Sequence, residues 1–122
     1  MRIITGGAAS DPEDRGATVA LGNFDGVHRG HQHVIGRARE ACPMAPLGVV
    51  TFIPHPRRFF APGVPPFELM TPETRARRLA RMGVERLYQL RFDKDLSRLS
   101  PRAFCEEVLA RDLGVANVAV GA

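Results

Sequence analysis

LGNFDGVHRGHQ, running from Leu21 to Gln32, decides the reading of this chain. An apolar run, Ala17 to Leu21, precedes it and has the character of a buried strand. His33, Val34, Ile35, Ala38 and Ala41 follow at helical spacing. Between strand and helix lie Gly22, Gly26 and Gly30, the acid Asp25, and His28 and His31. A helix start offers unpaired N–H groups and a partial positive charge, which suit an anion. Glycines let a phosphate approach the backbone closely. If the helix opens near Val27, His28 and His31 lie about one turn apart and can face one ligand. The residues point to a nucleotide.

Outward from this turn, the chain alternates. Arg2 to Thr5 reads as a short edge strand, and Gly6 to Gly16 as a surface loop. Gly30 to about Ala41 is the first helix, ended near Pro43. Leu47 to Ile53 is a near-continuous apolar run, as expected of a strand covered on both faces in a parallel sheet. Thr71-Pro72-Glu73 opens a helix with a cap, a proline and an acid, and Gly83 closes it. Ala76, Leu79 and Ala80 form its expected buried stripe, with Arg75, Arg77, Arg78 and Arg81 on a solvated face. Glu85 to Leu90 is a strand. Phe92 to Leu99 is a connection with room for a helical turn. Ser100-Pro101 caps a helix running to about Leu113, with Phe104, Val108 and Leu109 inward and Gly114 as its stop. Val115 to Gly121 is the last strand. This order predicts a single α/β domain with a parallel sheet and right-handed crossovers.

The totals agree. A chain of 122 residues can bury roughly two-thirds of its unfolded surface. The net charge of +4 suits small phosphate ligands, and no basic stripe interleaved with aromatics marks a nucleic-acid surface. No run is long enough for a membrane span and the start lacks an apolar signal region, so a cytoplasmic setting is expected. Cys42 and Cys105 form no CxxC pair and read as small reduced core residues. There is no P-loop motif and no serine or cysteine nucleophile elbow.

In parallel α/β sheets ligands bind beyond the C-terminal strand ends. The loops at Gly22–Gly30, at Pro54–Pro56 and after Gly121 all follow strands, which joins His55 to His28 and His31. Each imidazole can donate an N–H to a phosphate oxygen. Zinc held by His28, His31, Asp25 and His55 is the alternative use of the same side chains. Asp25 serves equally as a turn residue or as a ligand for substrate or magnesium. His33 reads as an exposed helix residue, and Pro54-His55-Pro56 as a rigid strand exit or a stiff loop aimed at a ligand.

GNFDGVHRGH, with its His-x-Gly-His core, resembles the signature of the His-x-Gly-His nucleotidyltransferases. TFIPHPRRFF and LMTPETRARRLARMGVERLYQLRFDKDLSRLSPRAFCEEVL extend the resemblance across essentially the whole chain. The wider match is to the N-terminal FMN adenylyltransferase (FAD synthetase) half of the bacterial bifunctional riboflavin kinase/FAD synthetases. That resemblance implies a Rossmann-like sandwich that transfers AMP from ATP to FMN, with magnesium, giving FAD and pyrophosphate. It implies His28 and His31 as the catalytic pair on the ATP phosphates. Gly22, Asn23, Phe24, Asp25, Gly26 and Gly30 become the ATP turn, and Pro54, His55 and Pro56 the flavin and phosphate side. Other enzymes of the superfamily, acting on nicotinamide mononucleotide, pantetheine phosphate or a cytidylyl acceptor, share the core motif but not Phe-x-Pro-His-Pro. A non-catalytic nucleotide- or flavin-binding module is the alternative outside the enzymes. In the family the strand matching Val115–Gly121 leads into a further Gly-x-Asn/Asp-Phe-x-Phe-Gly loop, more strands and a riboflavin kinase barrel. Residues 1–122 are thus expected to be a partial adenylyltransferase domain. If the four main strands run 3-2-1-4, the last lies beside the first with its outer edge open.

Overall fold

The computed structural model describes residues 1–24, 29–53 and 71–121. Five strands form one all-parallel sheet: β1 (Arg2–Ile4), β2 (Thr18–Leu21), β3 (Leu47–Ile53), β4 (Arg86–Arg91) and β5 (Asn117–Val120). Their order is β1-β4-β3-β2-β5, so the expected 3-2-1-4 arrangement of the main strands holds and β1 adds the far edge. α1 (Arg29–Ala41) joins β2 to β3, and α2 (Pro72–Arg81) lies between β3 and β4. A short α3 (Lys94–Ser97) and α4 lead from β4 to β5. α4 opens as Pro101–Ala103 and continues over Phe104–Asp112 as a π-helix, the wider spacing seen in the 2.9 Å bond from Leu113 N–H to Val108 C=O. Among the described residues, no helix is long and apolar enough to cross a membrane.

Successive strand residues feed opposite layers. Ala20, Val49 and Leu87 pack with Val34, Ile35 and Ala38 of α1 and Ala76 and Leu79 of α2. Val19, Val50 and Tyr88 pack with Val108 and Leu109 of α4 and with Leu113. Both strand faces are covered, which is why these strands read as continuous apolar runs rather than alternating ones. Thr18, fully buried, fixes the centre: its hydroxyl donates to Ala38 C=O at 2.7 Å and accepts from Asn117 Nδ2 at 3.1 Å. Gly48 is required by packing, because a Cβ there would stand 3.0 Å from both the Tyr88 ring and Val19 Cγ1.

The helix ends follow their local signals. Thr71 Oγ1 accepts from Thr74 N–H, Ser100 Oγ accepts from Ala103 N–H, and Gly83 and Gly114 take positive φ at the stops. Three expectations need correction. The inward side of α2 is Arg75, Ala76 and Leu79, while Ala80 is exposed. Arg75 can face inward because its guanidinium finds acceptors there. Cys42 is only half-buried and Cys105 is exposed; both are free thiols rather than core residues. The loop from Gly6 to Gly16 is not all surface: it contains a 3₁₀ turn at Pro12–Asp14, and Ala9 and Asp14 are buried.

Asp14 clamps that loop to the sheet edge. Arg2 grips its carboxylate with Nε at 2.7 Å and Nη2 at 3.0 Å, Arg86 Nε lies 3.4 Å away, and Tyr88 Oη donates to its carbonyl at 2.6 Å. The Arg2 hydrogen bond, aided by the charges of Arg2 and Arg86, holds the Asp14 carboxyl below the usual carboxylate range against the opposing effect of burial. Burial pushes the Tyr88 phenol up to about 12, so it stays a donor at neutral pH. A carboxyl depressed in the folded state stabilises above its unfolded pKa, near 3.9, and this contribution disappears as pH falls through the lower folded value. Asp14→Asn is therefore expected to lower the melting temperature at neutral pH. The gap from wild type should narrow below about pH 4, as read by melting curves across the acid range.

Candidate nucleotide site

Because the strands are parallel, the exits of β2, β3, β4 and β5 share one edge. From β2 the chain winds one way through β3 to β4, then returns past β2 to β5. The winding reverses between β2 and β5, the place where sheets of this kind hold ligands. A cleft of about 520 Å³ opens there, lined by Gly22, Phe24, Gly30, His31, His33, Arg37 and Gly121, among others. The glycine turn and the exit of β5 thus come together as the sequence predicts.

The turn wraps around Phe24. Gly22 N–H donates to Val50 C=O at 3.1 Å, extending the β2–β3 ladder by one rung. Phe24 then takes φ of 54°, a left-handed conformation costly for a side chain with a Cβ, and its ring is 1% exposed. Ring burial offsets that cost. A Cβ on Gly22 would sit 3.1 Å from the Phe24 ring, so the close wrap needs glycine. The His31 imidazole packs on Phe24 with centroids 4.9 Å apart at 54°. Asn23 Oδ1 is buried without a hydrogen-bond partner among the described residues.

Gly30 and His31 lie in the first turn of α1. They line the cleft, so the positive helix end meets whatever fills it. His33 is exposed as expected, yet it and Arg37 line the cleft along α1, a role the helical spacing of 33 and 37 could have suggested, and Arg37 brings a positive charge. Asp25, Gly26, His28, Pro54, His55 and Pro56 lie outside the described residues, and with them the zinc alternative.

Two further features were not read from the sequence. Phe52 near the end of β3, Phe92 after β4 and Phe104 of α4 form an aromatic recess of about 260 Å³. Phe52 meets Phe92 edge-on at 5.6 Å and Phe104 at 6.1 Å. A second cleft of about 540 Å³ lies by Gly6, Gly7, Arg91 and Arg111. Asp93, Asp95, Glu107 and Asp112 also line it, an acid excess that opposes a polyphosphate. Size alone would favour this cleft slightly; charge favours the one at the glycine turn.

A parallel α/β fold with a glycine turn, a helix start and a histidine at its switch point has the arrangement in which α/β proteins hold ligands. The chain belongs to the FAD synthetase family, whose profile matches residues 10–122. The bifunctional riboflavin kinase/FMN adenylyltransferase of Pseudomonas fluorescens is 39% identical, covering 99% of this chain and 39% of that protein. The Escherichia coli K12 protein of the same name is 34% identical over 99% of this chain and 40% of its own length. The chain spans about two fifths of the relatives it matches. A solved Streptococcus pneumoniae structure, described as a macrolide-efflux protein, shares the fold with a TM-score of 0.82 and 28% identity, covering 98% of this chain and 48% of that one.

Proposed function

We propose that this chain binds ATP in the cleft at Gly22–His31 and transfers its AMP moiety to FMN, giving FAD and pyrophosphate. The observation that carries the reading is the meeting of the glycine turn, the α1 start and His31 at the β2–β5 switch point, in a chain of the FAD synthetase family.

An oxygen of the FMN phosphate attacks the α-phosphorus of ATP. A new P–O bond forms there, the bond from the α-phosphorus to the bridging oxygen breaks, and pyrophosphate departs with that electron pair. The attacking phosphate is already anionic, so positioning and charge stabilisation supply most of the catalysis. The positive end of α1 and the His31 imidazole stabilise charge gathering on pyrophosphate. His28 shares this role, and Asp25 and Gly26 belong to the same ATP motif. Pro54, His55 and Pro56 belong to the FMN side, and the recess at Phe52, Phe92 and Phe104 suits the planar flavin ring. Among the described residues no group of three or more His, Cys, Asp or Glu side chains forms a metal site. Magnesium enters as the counter-ion of ATP.

The test is incubation of the protein with FMN and ATP, with FAD and pyrophosphate measured together. Equal amounts of both products support the reading. Saturable binding of ATP and FMN without either product would make the protein a binding module.

A further inference from the structure

Arg75 is 9% exposed on the sheet side of α2, between residues that pack into the core. A guanidinium is rarely taken out of water without acceptors. Its Nη1 donates to the Asn23 carbonyl at 3.0 Å, and its Nη2 donates to Thr51 Oγ1 at 3.4 Å. The first acceptor belongs to the peptide that joins Asn23 to Phe24, the residue held at φ of 54°. The second lies on β3, the strand that also accepts the Gly22 N–H through Val50. One rigid planar group therefore ties α2 to β3 and to the glycine turn. Lysine, a single point donor, does not reproduce that fork.

We propose that Arg75 is a positioning residue: it fixes the Asn23–Phe24 peptide, and through the Phe24 ring the His31 imidazole, in the arrangement that receives ATP. It acts from beneath the turn, since the cleft is lined by Gly22, Phe24 and His31 rather than by Arg75. The inference rests on the nucleotide reading given above.

The experiment compares Arg75→Ala, Arg75→Lys and Thr51→Val in the complete protein, after melting curves establish which variants fold. In Arg75→Ala the KM for ATP is expected to rise about tenfold or more, because a displaced turn misplaces the phosphates. The KM for FMN should stay within about twofold, and Arg75→Lys should recover part of the ATP effect through its single bond to Asn23. Thr51→Val removes one acceptor while keeping the side-chain shape, and should raise the KM for ATP about two- to threefold. It carries the test if Arg75→Ala does not fold. Without ATP, the Phe24 amide resonance should move in each folded variant. A lower melting temperature with an unchanged KM for ATP would overturn the proposal by making Arg75 merely structural. So would a Phe24 amide that stays in place. If the wild type shows no ATP saturation, the nucleotide reading fails, and the Phe24 amide still decides whether Arg75 sets the turn.

Discussion

His31→Ala is expected to lower the kcat of FAD formation by roughly 10²- to 10³-fold, the loss typical when one donor to a developing oxyanion is removed. His31 stands in the first turn of α1 and lines the cleft at the sheet's switch point. Its ring packs on Phe24. A preorganised donor acts most strongly where charge grows, on the departing pyrophosphate, so kcat should fall further than the KM for ATP rises. The imidazole is only half-buried, and its removal should leave the melting temperature nearly unchanged. Single-turnover measurement of FAD with saturating ATP checks this. A variant with wild-type kcat would remove His31 from the chemistry.

Phe24→Ala is expected to cost about 3–5 kcal/mol of stability, the usual range for emptying a buried aromatic site. The loss has two sources. The ring is 1% exposed and belongs to the layer shared by α1, α2 and the sheet. Its burial also offsets the left-handed backbone at φ of 54°, and alanine keeps the backbone cost of roughly 1–2 kcal/mol without the compensation. In a domain of this size such a loss lowers the melting temperature by roughly 15 °C or more. ATP should no longer stabilise the variant, because Phe24 also seats His31. Melting followed by circular dichroism, with and without ATP, reads both effects. A shift of only a few degrees would mean that the turn does not depend on the ring.

Much of the fold is legible because its signals are local. Thr71-Pro72 and Ser100-Pro101 set helix starts, Gly83 and Gly114 take positive φ at helix stops, and Leu47–Ile53 is apolar along its length because both faces are covered. The turn is legible for the same reason: glycine spacing and a helix start are properties of neighbouring residues. What stays hidden depends on partners far along the chain. Arg75 reads as a solvated arginine until the fold brings it Asn23, 52 residues away, and Thr51, 24 residues away. Asp14 reads as a loop acid until β1 and β4 deliver Arg2 and Arg86. The Phe52–Phe92–Phe104 recess draws one ring from each of three segments, and no spacing announces it. The π-helical form of α4 has no signal in its sequence that we can identify.

The central claim is that ATP is seated at the glycine turn. Backbone amide shifts of ¹⁵N-labelled protein, followed as ATP is added, test it most directly. The account predicts saturable shifts at Gly22, Asn23, Phe24, Gly30 and His31, with Gly6, Gly7, Asp95 and Arg111 unmoved. Shifts gathered at Gly6, Gly7, Asp95 and Arg111, with a silent turn, would place ATP in the acid-lined cleft there and contradict it.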